Sequence, residues 1–126
     1  NVELDRALCN RYKLDIEYSH VYIDLDDCLI VDGKVNYELV AFLYKAIDEG
    51  KHICLITRHR SDLQATLKQY RLTQLFDEIV HVTDGRPKAD FMTAEKAVFI
   101  DDSFAELKSI AYRKNHLTLT PHQLFH

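Results

Sequence analysis

A short apolar run, Val21-Tyr22-Ile23, stops on a carboxylate, Asp24, and a second acid, Asp26, follows two positions later. The run is rich in β-branched and aromatic residues, the composition of a buried strand. The same event recurs downstream: Ile53-Cys54-Leu55-Ile56 ends at Thr57, and Ala97-Val98-Phe99-Ile100 ends at Asp101-Asp102. Unbroken apolar runs suit strands covered on both faces, as in parallel sheets. Such sheets bind ligands in the crevice beyond the carboxyl ends of their strands. Topology therefore gathers Asp24, Thr57 and Asp101 at one end of one sheet.

The intervening segments read as helices and turns. Leu4, Ala7, Leu8 and Tyr12 have helical spacing, giving an N-terminal helix or linker over 1–18 ahead of a core over 19–126. The first strand runs from His20 to Asp24, and Asp32-Gly33 between β-branched residues predicts a hairpin after it. Asn36 caps a helix to about Glu49, with Leu39, Val40, Phe42, Leu43 and Ile47 as its apolar stripe and Gly50 at its end. His52 to Thr57 is the second strand. Ser61 and Gln64 have capping-box spacing for a helix over Asp62 to Tyr70. Glu78 to Val82 is the third strand, broken by Thr83-Asp84-Gly85-Arg86-Pro87. Lys88 to about Thr93 reads as helical and Ala97 to Ile100 as the fourth strand. Ser103 and Glu106 make a second capping box for a helix to Arg113; Leu117 to Leu119 is a weak fifth strand, and Pro121 starts a last short helix. Strand and helix alternate, so the expected fold is a three-layer, Rossmann-like α/β domain with a mainly parallel five-stranded sheet.

The closeness of Asp24 and Asp26 needs a physical reason. Two unit charges ~4 Å apart repel by about 4 kcal/mol at an effective dielectric near 20. Either one carboxylate holds a proton or a cation lies between them. At 126 residues the chain has the size of one domain. A net charge of −4 argues against general nucleic-acid binding. No apolar run reaches membrane-spanning length. Cys9, Cys28 and Cys54 have apolar neighbours and no CxxC spacing, as expected of reduced thiols in a cytoplasmic protein. The Asn1 start is expected of a domain excised or processed from a longer protein.

Asp24-Leu25-Asp26-Asp27-Cys28-Leu29, Thr57, Lys88 and Asp101-Asp102 resemble, in order and context, the four motifs of the haloacid dehalogenase (HAD) superfamily. The resemblance covers roughly residues 19 to 120 and implies a Mg²⁺-dependent phosphatase. By it, Asp24 is the nucleophile that becomes an aspartyl phosphate, and Asp26 is the general acid and base. Thr57 and Lys88 bind the phosphoryl group. Asp102, with Asp101 nearby, joins Asp24 and the Asp26 carbonyl around Mg²⁺. The paired acid implies phosphate-ester chemistry, because the dehalogenases of the family lack it. Cys28 departs from the family's usual Thr or Val. The gaps between motifs are too short for a cap domain, which resembles members that use macromolecular substrates or that are closed over by an oligomer partner.

Each residue alone has a plainer reading. Thr57 alone reads as a strand-end hydroxyl, Lys88 as a solvated lysine, Asp101-Asp102 as acids at a helix start, and Glu106 as half of a capping box. The ordered combination carries the functional reading. Arg58-His59-Arg60 is a basic cluster at a helix start, where the dipole disfavours cations, and is expected to recognise an anionic substrate, with Arg58 as the contact. Two further readings remain. One is a non-catalytic or regulatory module of a larger protein, since similar Lys-Ala-Asp-Phe and Ile-Asp-Asp-Ser segments occur in domains fused to ligases such as ATP-grasp enzymes. The other is a phosphoacceptor receiver domain, disfavoured because the second acid pair follows the fourth strand and not the third.

Overall fold

The computed structural model describes residues 18–102 and 117–120. Strand β1 (His20–Ile23) lies inside the sheet, which is why Val21, Tyr22 and Ile23 are all buried despite alternating between faces. It pairs in parallel with β4 (His52–Thr57) on one side and β6 (Ala97–Ile100) on the other. β5 (Glu78–His81) extends the sheet beyond β4. The result is an all-parallel α/β sheet with strand order β5-β4-β1-β6. The short segment β7 (Leu117–Leu119) aligns parallel to β6 at the outer edge.

Between β1 and the first helix a two-stranded antiparallel hairpin projects, β2 (Ile30–Val31) and β3 (Lys34–Val35). Its turn has Asp32 at φ 52° and Gly33 at φ 74°, the two positive values that match the twist of a tight hairpin. The Tyr70 hydroxyl donates to the Gly33 carbonyl at 3.3 Å and ties the hairpin tip to the end of the second helix.

Helix α1 (Tyr37–Asp48) starts on Asn36, whose side chain accepts from the Leu39 amide at 3.3 Å. It buries Leu39, Leu43 and Ala46, with Val40 and Phe42 partly covered. Ile47, expected on the stripe, is exposed. Helix α2 (Leu63–Gln69) starts one residue later than the Ser61–Gln64 spacing suggests. Asp62 Oδ1 accepts from the Ala65 amide at 3.1 Å, so Asp62 is the cap and the capping box does not form. The helix expected from Lys88 is a single 3₁₀ turn, Lys88–Phe91. No side chain caps its start, and Met92 is extended because it is drawn into the core. β5 stops at His81 and not Val82.

Both described helices pack on one face of the sheet, against Val21, Ile23, Ile53, Leu55, Val98 and Ile100. The opposite face, with Tyr22, Cys54, Ile56 and Phe99, is covered by Val82, Ala89 and Met92. Tyr18 also enters the core, with the Lys51 ammonium 4.6 Å from its ring centroid. The N-terminal helix, the Ser103–Glu106 capping box with its helix, and the helix from Pro121 lie outside the described residues. Among the described residues no helix is long and apolar enough to cross a membrane.

Candidate active site

Strands β1 and β6 end in register, because Ile23 pairs with Ile100, while β4 runs on past Leu55, the other partner of Ile23, to Thr57. Asp24 is therefore held just past the end of β1, its amide donating to the Ile100 carbonyl at 3.0 Å. The next residues wind tightly. The Leu25 carbonyl accepts from the amides of Leu29 at 3.0 Å and Ile30 at 2.9 Å. Asp27 supplies the required left-handed residue, φ 58°, a conformation that Asp tolerates better than most. This turn turns Asp26 outward while Leu25, Cys28 and Leu29 fill the core.

Lys88 is the centre of the arrangement. It is 2% exposed, and its ammonium lies 2.7 Å from Asp101 Oδ2 and 3.2 Å from Asp24 Oδ1. The 3₁₀ turn makes this possible by setting the side chain of its first residue inward, next to fully buried Ala89. A buried ammonium must be paired to be tolerated, and here two acids from two strand ends pair it. Asp24 Oδ1 is itself buried and accepts no hydrogen bond. Its contact with Lys88 is therefore coulombic, and it retains acceptor capacity for another cation or donor.

Thr57 closes β4 and is fully buried. Its Oγ1 accepts from the His59 amide at 3.2 Å, which leaves the hydroxyl proton to be donated elsewhere. Asp26 Oδ2 lies 2.8 Å from His59 Nδ1. A cleft of about 620 Å³ opens over these groups, lined by Asp24, Asp26, Asp27, Asp101 and Asp102 and by Arg58, Arg60 and their neighbours. Five carboxylates meet there with two arginines and the lysine beneath, so the cleft has room for further positive charge.

Of the residues singled out by sequence, Asp24, Asp26, Arg58, Asp101 and Asp102 line this cleft and Lys88 pairs with Asp24 and Asp101 beneath it, though not in equivalent roles. Asp101 is buried against Lys88, whereas Asp102 is exposed at the cleft wall. Arg58 reaches sideways, its Nη2 donating to the Arg86 carbonyl at 2.7 Å, and so links the loop after β4 to the loop before the 3₁₀ turn. Among the described residues no group of three or more His, Cys, Asp or Glu side chains is placed to hold a metal by side chains alone. Mg²⁺ does not require that many, since it keeps several waters and takes one or two carboxylates. The buried Asp24 Oδ1, with no hydrogen-bond donor, fits such an ion.

Cys28 lies in the core and does not line the cleft. It is fully buried, its thiol faces the Ile100 carbonyl at 3.7 Å, and burial, then the charges of Asp24 and Asp101, push its pKa well up. His59 is the residue that sequence reasoning undervalued, having grouped it with the basic cluster. The available signal was a basic residue at a helix start, a position that an acid partner makes favourable. Glu106 lies outside the described residues. Comparison of the chain with family models, with curated proteins and with solved structures finds no match.

Proposed function

We propose that this chain is a Mg²⁺-dependent phosphomonoester hydrolase of the HAD type, with a capless three-layer Rossmann-like core. The observation that carries the reading is Lys88, buried between Asp24 and Asp101 at the floor of an acidic cleft. Burial of the ammonium alone requires an acid partner, and here both partners are strand-end acids that also line the cleft. A phosphoryl-transfer site needs that set, because its catalysis is positioning and charge neutralisation.

In this mechanism Asp24 attacks phosphorus, the ester P–O bond breaks, and Asp26 gives its proton to the leaving oxygen. Asp26 then takes a proton from water as that water attacks phosphorus. The bond to Asp24 breaks and inorganic phosphate leaves. Thr57 donates its free hydroxyl proton to a phosphoryl oxygen, and Lys88 offsets charge on Asp24 and on the transferring group. Asp24, the Asp26 carbonyl and Asp102 would hold Mg²⁺, with Asp101 behind them on Lys88. The ion supplies charge neutralisation for the phosphoryl oxygens when bound. The open cleft suits a phosphorylated substrate that is itself large or that is covered by a partner copy.

Phosphate release from a panel of phosphomonoesters, with and without Mg²⁺, tests the reading. The expected result is Mg²⁺-dependent turnover that falls by at least about 1,000-fold in Asp24→Asn, with the fold retained. No turnover in either protein, or unchanged turnover in the variant, would overturn it in favour of a binding module.

A further inference from the structure

We propose that His59 is a positioning residue that sets the carboxylate of Asp26 for proton transfer. The inference rests on the phosphatase reading and adds to it a residue outside the Asp, Thr and Lys set.

The argument begins with what Asp26 lacks. Its side chain is 52% exposed, on a tight turn next to a left-handed residue, so packing does not choose its rotamer. A group that protonates a leaving oxygen must sit within hydrogen-bond reach of it, and a displacement of about 1 Å can cost about 100-fold in rate. Something must hold it.

His59 has what Asp26 lacks. Its side chain is only 12% exposed, and every polar group it owns is engaged. Its amide donates to Thr57 Oγ1 at 3.2 Å, and its carbonyl accepts from His81 Nε2 at 2.6 Å. Nε2 lies 2.9 Å from Thr66 Oγ1, which is itself 3.1 Å from the Asp62 carbonyl inside the first turn of α2. Nδ1, at 2.8 Å, faces a carboxylate oxygen and therefore donates to it. The ring is a rigid strut from α2 and the end of β5 to one oxygen of Asp26. With Oδ2 committed to His59, Oδ1 is left to carry the transferred proton. The same contacts argue against His59 as a substrate-binding cation, since both ring nitrogens are already occupied. His59 acts through Asp26 and is a positioning residue, not a catalytic one.

The test uses leaving groups of graded quality on one ring: p-nitrophenyl, phenyl and benzyl phosphate, assayed with Mg²⁺. kcat/KM reports the steps through transfer to Asp24, where protonation matters most for the poorest leaving group. In His59→Ala, kcat/KM is expected to fall by about 30- to 100-fold for benzyl phosphate and by about 3-fold or less for p-nitrophenyl phosphate. His59→Asn, which can present an N–H where Nδ1 stood, is expected to recover about 10-fold of the benzyl loss. A urea midpoint for each variant separates misfolding from misplacement, and Thr66→Val, which cuts the strut behind the ring, is expected to show the same leaving-group dependence more weakly. Equal losses along the series, no loss at all, or a folded His59→Asn as slow as His59→Ala overturns the inference alone. A wild-type chain that cleaves none of the three overturns the phosphatase reading and the inference with it.

Discussion

In the proposed mechanism Lys88 serves stability and chemistry at once. Its ammonium offsets two acids that the strand ends force together, and all three groups are nearly dry. Removing one partner of such a set strands the others in low dielectric, which typically costs about 3–5 kcal/mol. Lys88→Met is accordingly expected to lower urea stability by about that much. Adding Asp101→Asn to it should recover part of the loss, because the double variant strands one charge and not two. Strict additivity in that double-mutant cycle would show that Lys88 and Asp101 are not coupled. In sequence Lys88 was indistinguishable from a surface lysine. Its burial depends on a 3₁₀ turn and on the approach of β6, neither of which is encoded in the residues beside it. Asp24, by contrast, was legible at once, because an apolar strand that ends on an acid is a local pattern. His59 was legible as a basic residue at a helix start but not as a partner of Asp26, since their contact spans 33 residues and requires β1 and β4 to be neighbours.

At the scale of elements, caps and turns decide where the loops of the site stand. Helix α2 fixes both Thr66 and the loop of Arg58, His59 and Arg60, and its start is set by Asp62. Asp62→Ala should cost about 1 kcal/mol, whereas Ser61→Ala, at an exposed position beyond the cap, should change stability by less than about 0.5 kcal/mol. Equal effects in chemical denaturation would return the cap to Ser61. The strands, the hairpin and α1 could be read directly, because each has strong local punctuation: Asp32-Gly33 for the turn, Asn36 and Gly50 for the helix ends. The start of α2 could not, since Ser and Asp are both good caps and the Ser61–Gln64 spacing favours the wrong one. The segment from Lys88 defeated periodicity for a different reason. Four residues are too few to display a helical period, and burial of Met92 overrides local propensity there.

Across the whole molecule, the parallel sheet separates two kinds of titratable group. The acids gather at the carboxyl ends of the strands, while His20, His52 and Glu78 gather toward the opposite edge. The rings of His20 and His52 have centroids 4.7 Å apart, and His52 Nε2 lies 3.3 Å from Glu78 Oε1. Burial, then the neighbouring His52, hold the pKa of His20 below its usual 6.5, against a smaller opposing pull from Glu78. Unfolded, His20 takes up its proton at a higher pH than it does folded. Its contribution to stability is therefore present above pH 6.5 and is lost as pH falls through the lowered folded value. The urea midpoint of the wild-type chain should drop between pH 7.5 and 5.5, and in His20→Gln it should drop less. Identical pH slopes would remove His20 as the cause. Four strand residues separate this edge from Asp24, roughly 13 Å at the usual rise. At that distance, beyond a Debye length in ordinary buffer, the histidine edge should set how stability responds to acid while leaving the leaving-group dependence of the proposed catalysis at the acidic edge as it is in the wild type.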